Sequence, residues 1–253
     1  MPSEMIRRAA ALLREARYVV ALTGAGISVP SGIPDFRSPG SGLWERYDPF
    51  EVASLDAFLA NPHRFYDWIR PLAEKARHAQ PNPAHEALAR LQAMGRLHEI
   101  ITQNIDGLHE AAGSREVLHV HGHTRTATCT RCHTRMEAEP LWDVVLAGEV
   151  PRCHRCEGVV KPDVVLFGEL LPLDVFEKAR HAAERADLML VVGSSLEVFP
   201  VAELPRLTLA QGGRLIIVNK GPTALDAHAS LKIEEDVVEV LPAIVSELSA
   251  YSM

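Results

Sequence analysis

Four short apolar runs set the limits on what this chain can fold into. Residues 18–22, 98–102, 187–192 and 214–218 are rich in Val, Ile and Leu, and each stops at a small or polar residue: Thr23, Gln103, Gly193 and Asn219. Apolar runs of this length suit strands buried on both faces, as in a parallel sheet covered by helices. Between and around them, residues 3–16, 83–94, 173–185, 201–211 and 236–249 carry apolar side chains at helical spacing. The alternation predicts an α/β fold built on a doubly wound parallel sheet, with further strands at 117–120, 163–167 and near Leu231. Ligands bind such sheets just beyond the C-terminal strand ends. One polar strand end is a coincidence, whereas four describe a crevice.

The first of these runs leads into the stretch with the most chemistry, residues 18–37. Gly24 and Gly26 follow the strand, and glycines there let backbone N–H groups approach a phosphate with no Cβ in the way. The spacing is GxGxxV, with Val29 where a dinucleotide fingerprint has glycine. A plain strand-to-helix turn fits the two glycines equally well. Ser31, Gly32 and Pro34 then keep the chain out of a long helix, and Asp35, Phe36 and Arg37 put an acid, a ring and a base in a row. That polar, kinked segment suits a loop that closes over a ligand. Residues 43–79 are helical in pattern but interrupted by Pro49, Pro62 and Pro71, and dense in aromatic rings. They read as a small helical insertion with its own apolar patch, in which most rings are core.

All four cysteines fall within residues 129–156, as Cys129-x-x-Cys132 and Cys153-x-x-Cys156 with 20 residues between the pairs. Two such knuckles converge on one tetrahedral Zn²⁺ and leave no coordination site open, which makes the site structural. His133 and His154 lie beside them as competing ligands, but four thiolates suffice. A module this short has little core, so the metal would supply much of its folding free energy. The 26 Lys and Arg against 33 Asp and Glu give a formal charge of −7, which offers nucleic acid no general attraction. No apolar run approaches the ~20 residues that span a bilayer, and the N-terminal stretch is amphipathic, so no membrane partner and a cytoplasmic location are expected.

The residues TGAGISVPSGIPDFR (23–37), TQNIDGLH (102–109), HVHG (119–122), the four cysteines, KPDVVLFGE (161–169), GSSLEVFPVAELP (193–205) and IVNKG (217–221) together resemble the sirtuins, NAD-dependent protein deacylases. The resemblance runs nearly the full length in the family's order. It implies a Rossmann-like NAD-binding domain of residues 1–37, 80–121 and 161–253. It implies also a small domain of a helical insertion, 38–79, and a zinc module, 122–160, with Cys129, Cys132, Cys153 and Cys156 as zinc ligands. NAD is then a consumed co-substrate. Gly24, Ala25, Gly26, Val29, Asp35, Phe36 and Arg37 hold it in this reading. Gln103, Asn104, Ile105 and Asp106 line the nicotinamide and ribose pocket, although Asn104 and Asp106 also fit turn chemistry and helix capping. Gly193, Ser194, Ser195, Asn219, Lys220 and Val237 take the adenosine half.

The same resemblance makes His121 the general base and Asn104 its catalytic companion. An imidazole near its ordinary pKa of about 6.5 can take a ribose hydroxyl proton at neutral pH. The acylated protein or peptide substrate would lie as an added strand between Gly168–Glu169 and Leu196, Glu197 and Val198, with Val165 and Phe167 walling the lysine tunnel. Members that prefer succinyl or malonyl groups carry a Tyr and an Arg three residues apart on the insertion. Those positions align with Ile69 and Leu72, and Arg70 is one residue from the first. A deacetylase that tolerates other uncharged acyl groups is therefore expected. An NAD-dependent ADP-ribosyltransferase on the same fold is the alternative; a nucleic-acid-binding zinc ribbon is a third reading, against which the acidic total argues.

Overall fold

The computed structural model describes residues 2–36, 40 and 42–250. Its strands are β1 (Val19–Thr23), β2 (Glu99–Thr102), β3 (Val117–His119), β4 (Gly122–Cys129), β5 (Arg135–Glu137), β6 (Val160–Val164), β7 (Leu188–Val192), β8 (Arg214–Val218) and β9 (Leu231–Ile233). Its helices are α1 (Pro2–Glu15), α2 (Pro49–Val52), α3 (Leu55–Ala60), α4 (Pro62–His78), α5 (Pro83–Ala93), α6 (Leu108–Ala111), α7 (Glu139–Leu146), α8 (Leu173–Arg185), α9 (Leu204–Ala210) and α10 (Val237–Ala250). Among the described residues, six strands form one parallel sheet in the order β3-β2-β1-β7-β8-β9. The order reverses beside β1, which makes the gap between β1 and β7 the switch point of a doubly wound sheet.

Successive side chains on these strands enter two different cores. Val19 and Ala21, Leu188, Leu190 and Val192, and Ile216 and Val218 pack with α1, α5 and α10. Val20 and Leu22, Met189 and Val191, and Leu215 and Ile217 pack with α8 and α9. Both faces are thus covered, which is why the strands read as unbroken apolar runs. Each fully buried Val, Leu or Ile contributes about 1.5–3 kcal/mol before chain entropy is set against it. The helix expected over 201–211 forms in two pieces, a 3₁₀ turn at Val201–Glu203 and then α9, with Pro205 at the start of the second.

The insertion follows its prolines only in part. Pro49 and Pro62 begin α2 and α4, behind the side-chain caps Asp48 and Asn61. Pro71, by contrast, lies inside the 17-residue α4. An interior proline costs about 3 kcal/mol through a lost hydrogen bond and a clash with the preceding turn. Here Phe65, Tyr66 and Ile69 anchor the helix in a core shared with Phe58, Val145 and Val164, and that packing offsets the cost.

A second sheet, β5-β4-β6, is antiparallel. It corrects one expectation: the strand placed at 163–167 forms three residues earlier, as β6, and joins this small sheet rather than the parallel one. Val160, Pro162 and Val164 are buried while Lys161 and Asp163 between them are not, the alternation of a strand with one wet face. The apolar residues beyond it form a strap. Val165 N–H donates to the His121 carbonyl (2.9 Å), Phe167 N–H to the Ala53 carbonyl (2.9 Å), and Leu55 N–H to the Phe167 carbonyl (2.9 Å). Among the described residues, no helix is long and apolar enough to cross a membrane.

Candidate active site and metal centre

Because β1, β2, β7 and β8 are parallel and in register, Thr23, Thr102, Val192 and Val218 end on one edge of the sheet. The residues just beyond, Gly24, Gln103, Gly193 and Asn219, border a single cleft of about 1490 Å³. A volume above the 300–1,000 Å³ of ordinary small-molecule sites leaves room for a dinucleotide and a peptide side chain together. Every residue expected to hold the dinucleotide lines this cleft, except Arg37, which lies outside the described residues.

The glycines do different work from that expected of them. Gly24 N–H donates to the Val192 carbonyl (3.1 Å) and Gly26 N–H to the Gly193 carbonyl (2.9 Å), so neither N–H is left for a phosphate. A Cβ on Gly24 would stand 2.7 Å from the Gly193 oxygen, and one on Gly193 would stand 2.3 Å from Ile27 N. Gly193 also has φ +59°. The three glycines therefore let the turns after β1 and β7 close on each other at the switch point. Beyond them the chain makes two 3₁₀ turns, Ala25–Ile27 and Val29–Ser31, instead of entering an α-helix. Phe36 stacks on Trp44 at 5.0 Å, and Trp44 on Trp68 at 5.7 Å; all three rings line the cleft, and Trp68 packs against the core of the insertion as well.

Ser28 is the residue that sequence reasoning passed over. Its hydroxyl is buried, donates to Asp106 Oδ2 (2.7 Å), accepts from Asn104 Nδ2 (3.1 Å) and lies 3.4 Å from His85 Nε2. Asn104 Nδ2 also donates to the Gly24 carbonyl (3.1 Å), and Asp106 Oδ1 caps Leu108 N–H (2.9 Å) at the start of α6. Asn104 and Asp106 thus serve the turn and face the cleft at once. Gln103 Nε2 reaches Ser194 Oγ (2.9 Å) and joins the two sides of the crevice. Behind them, His109 Nε2 meets Thr23 Oγ1 (2.9 Å). Burial, and the neighbouring His85, hold the His109 pKa down at about 3; burial lowers that of His85 as well. Both rings stay neutral near pH 7. A hydroxyl two residues after the second glycine is the one signal that marks Ser28.

His121 lies just past β3 and lines the same cleft. Its Nδ1 is 3.2 Å from the Gln103 carbonyl. A carbonyl only accepts, so Nδ1 carries the ring proton and Nε2 is the basic nitrogen. Val165, whose N–H donates to the His121 carbonyl, and Phe167, Gly168, Glu169, Glu197 and Val198 border the same cleft. The Glu169 carboxylate is turned inward, accepting from Lys161 Nζ (3.1 Å) and Leu166 N–H (2.7 Å). Leu196 points its side chain into the core at 4% exposure, with φ +58°, so it can meet a peptide only through its backbone. Ile69 and Leu72 line the cleft. Arg70 instead spends Nε on the Val145 carbonyl (2.8 Å) and Nη2 on Asp67 (2.6 Å).

The cysteines come together as their spacing predicts. All four Sγ atoms lie within 4.8 Å of one another, with Cys129 and Cys156 at 3.5 Å and Cys132 and Cys153 at 3.7 Å. A zinc tetrahedron with Zn–S bonds of about 2.3 Å has S···S edges of about 3.8 Å. The two knuckles share one geometry. His133 and Glu157, each following the second cysteine of its pair, have φ +56° and +57°. Their N–H groups donate to the carbonyls of Cys129 (3.1 Å) and Cys153 (2.9 Å). Backbone N–H groups of Cys132 and Arg155 point at the sulfurs of Cys129 and Cys153 (3.5 Å each), which suits thiolates. His133 and His154 are exposed and outside the cluster. The donor set fits one structural Zn²⁺.

Known proteins agree with this architecture. The sequence pattern of the Sir2 family matches residues 24–200. NAD-dependent protein deacylase 2 of Archaeoglobus fulgidus is 46% identical over 244 residues, covering 96% of this chain and 96% of its own. The NAD-dependent protein deacetylase of Thermotoga maritima is 43% identical over 236 residues, covering 93% and 95%. A solved structure described as "Structural Basis for the Mechanism and Regulation of Sir2 Enzymes" superposes with a TM-score of 0.93 at 44% identity over 98% of this chain and 99% of that one. A Sir2–p53 peptide–NAD⁺ complex does so with 0.88 at 41% identity, over 96% and 98%. With the doubly wound sheet, the four-thiol centre and these likenesses over almost the whole length, the chain belongs to the Sir2 family.

Proposed function

We propose that this protein is an NAD-dependent protein-lysine deacetylase that also accepts other uncharged acyl groups. The observation that carries the reading is the bond from His121 to the Gln103 carbonyl, which makes Nε2 a base beside a crevice suited to a dinucleotide. The activities of the relatives support it, being NAD-dependent deacylation and deacetylation. In this reading the turn after β1 and residues 35–37 hold NAD at the switch point. Residues 103–106 surround nicotinamide and its ribose, and the ends of β7 and β8 with Val237 take the adenosine half. The division into an NAD-binding domain and a small domain belongs to the same proposal, with β6 counted in the small domain because it pairs with β4.

NAD supplies a bond poised to break, from ribose C1′ to nicotinamide, and a ribose that receives the acyl group. The chain does the rest. Val165 and Phe167 shield the lysine stem from water while its acyl oxygen meets C1′. Asn104, with Nδ2 spent on Gly24 and Ser28, has its carboxamide oxygen left for the ribose. After nicotinamide departs, His121 Nε2 takes the proton of the ribose 2′-hydroxyl. The freed 2′-oxygen bonds to the acyl carbon, one water enters, and the acyl carbon–nitrogen bond to lysine breaks, so that acetyl-lysine, NAD and water give free lysine, nicotinamide and O-acetyl-ADP-ribose. Zinc takes no part in these steps. Apolar Ile69 and Leu72 in the cleft, with Arg70 committed elsewhere, support a preference against charged acyl groups. Four free thiols in a metal-binding arrangement suit a reducing compartment, and we assign the protein to the cytoplasm.

The test is mass spectrometry of acetyl, butyryl and succinyl peptides incubated with and without NAD. Acetyl and butyryl loss should require NAD and outpace succinyl loss. Faster desuccinylation would overturn the acyl assignment, and a gain of ADP-ribose in place of acetyl loss would establish the transferase instead.

A further inference from the structure

His121 follows β3, a three-residue strand at the edge of the parallel sheet. An edge strand is held by a ladder on one side only, and β3 pairs with β2 alone, Thr102 opposite His119. The position of the proposed base against Gln103, at the end of β2, therefore depends also on what else holds this edge: Val165 N–H, which donates to the His121 carbonyl (2.9 Å), and the side chain of His119. Two residues before His121, the His119 ring is 8% exposed and its Nε2 lies 2.5 Å from Glu110 Oε1. The same oxygen accepts from Arg125 Nη1 at 2.8 Å. Carboxylate oxygens only accept, so His119 donates through Nε2–H.

These three residues come from three different pieces of the site. Glu110 is on α6, directly after the loop that holds Gln103 to Asp106. His119 ends β3, and Arg125 is on β4, the first strand of the small sheet. One carboxylate oxygen thus joins the pocket loop, the edge strand and the neighbouring sheet. None of the three appears among the residues assigned so far to NAD, acyl-lysine or zinc. The His119–Glu110 arm is mostly shielded from water, where a charge-assisted bond holds its geometry better, whereas Arg125 on the other arm is half exposed.

We propose that Glu110 is a positioning residue for catalysis: by tying His119 and Arg125 it fixes β3 so that His121 keeps its bond to Gln103 and its Nε2 stays aimed at the ribose. The inference rests on the reading of His121 as the general base, and the chemistry itself separates the two. Nicotinamide leaves before His121 acts, so a misplaced His121 slows formation of O-acetyl-ADP-ribose without slowing nicotinamide departure. Misplacement by ~1 Å can cost on the order of 100-fold in rate.

The experiment compares Glu110→Ala, Glu110→Gln and His121→Ala with the unaltered protein. Two rates are read with an acetyl-lysine peptide: product formation at saturating NAD, and exchange of labelled nicotinamide into NAD. For Glu110→Ala, product formation should fall about tenfold or more while exchange stays within about twofold. Glu110→Gln, whose amide oxygen can still accept from His119 and Arg125, should recover most of the loss. If Glu110→Ala and Glu110→Gln lower both rates together along with the melting temperature, Glu110 is only a structural residue and the inference fails. It fails equally if Glu110→Ala changes neither rate while His121→Ala abolishes product formation. Product formation that survives His121→Ala would overturn the reading of the base itself.

Discussion

At the scale of single residues, the site rests on a few buried polar atoms with no spare partners. Ser28 joins Asp106, Asn104 and His85 through one hydroxyl. Ser28→Ala takes the hydroxyl donor from Asp106 Oδ2 and leaves Asn104 Nδ2 with only the Gly24 carbonyl, and should lower unfolding free energy by about 1–3 kcal/mol in urea titrations, with a loss of NAD-dependent turnover. Gly193→Ala meets two penalties, a left-handed backbone and a Cβ 2.3 Å from Ile27 N. It should cost at least about 2 kcal/mol, read in the same titrations, since neither neighbour is a flexible side-chain end. His121→Ala should differ from both: folding and zinc content unchanged, turnover abolished. The glycines, the strand-end amides and His121 were all visible in the sequence. The partnership of Ser28 with three distant side chains was not, because it forms only when residues 28, 85, 104 and 106 are brought together.

At the scale of elements, local pattern and packing sometimes disagree. The apolar run at 163–167 has the composition of a buried strand, yet the ladder forms on 160–164, where the antiparallel partner β4 is available. Pro71 marks a helix end by its own chemistry, and α4 continues through it because its buried face outweighs one lost bond. The small sheet depends on its metal more than on apolar burial. Its core holds Ala127, Cys129, Ala138, Cys153 and Val160, and two of these five are zinc ligands. Cys129→Ser, or prolonged chelation, should release zinc and unfold the β4–β6 sheet while the parallel sheet keeps its circular dichroism. Metal analysis beside far-UV spectra checks both halves of that outcome.

At the scale of the whole molecule, buried titratable groups tie stability to pH. His109 takes a proton near its ordinary value of 6.5 when unfolded and only at about 3 when folded, since burial opposes the charge. Between those values the unfolded chain binds the extra proton, so stability falls as pH drops through that window. Glu110 adds to this lower down. Burial raises its pKa, but the bond from His119 and the charge of Arg125 outweigh it and hold the group at about 2, against an ordinary 4.5. Its contribution is complete above about 4.5 and is lost toward 2. The denaturation midpoint should therefore decline from pH 7 to pH 4, and His109→Gln should flatten the upper part of that decline. A midpoint independent of pH over this range would refute the burial of His109 as a neutral ring.

Local pattern is enough to place the apolar strands of the parallel sheet, its doubly wound class and the zinc ligands, because each depends on composition or spacing within a short window. It marks also the polar residues that end the strands, since a buried run that stops at Gly, Gln or Asn declares its crevice locally. Only the closed chain brings Gly24, Gly26 and Gly193 against one another, pairs β6 with the small sheet, and lets one oxygen of Glu110 join three separate elements. Those are contacts between residues up to 169 positions apart. No local periodicity encodes such contacts, because their energy exists only once the chain has closed on itself.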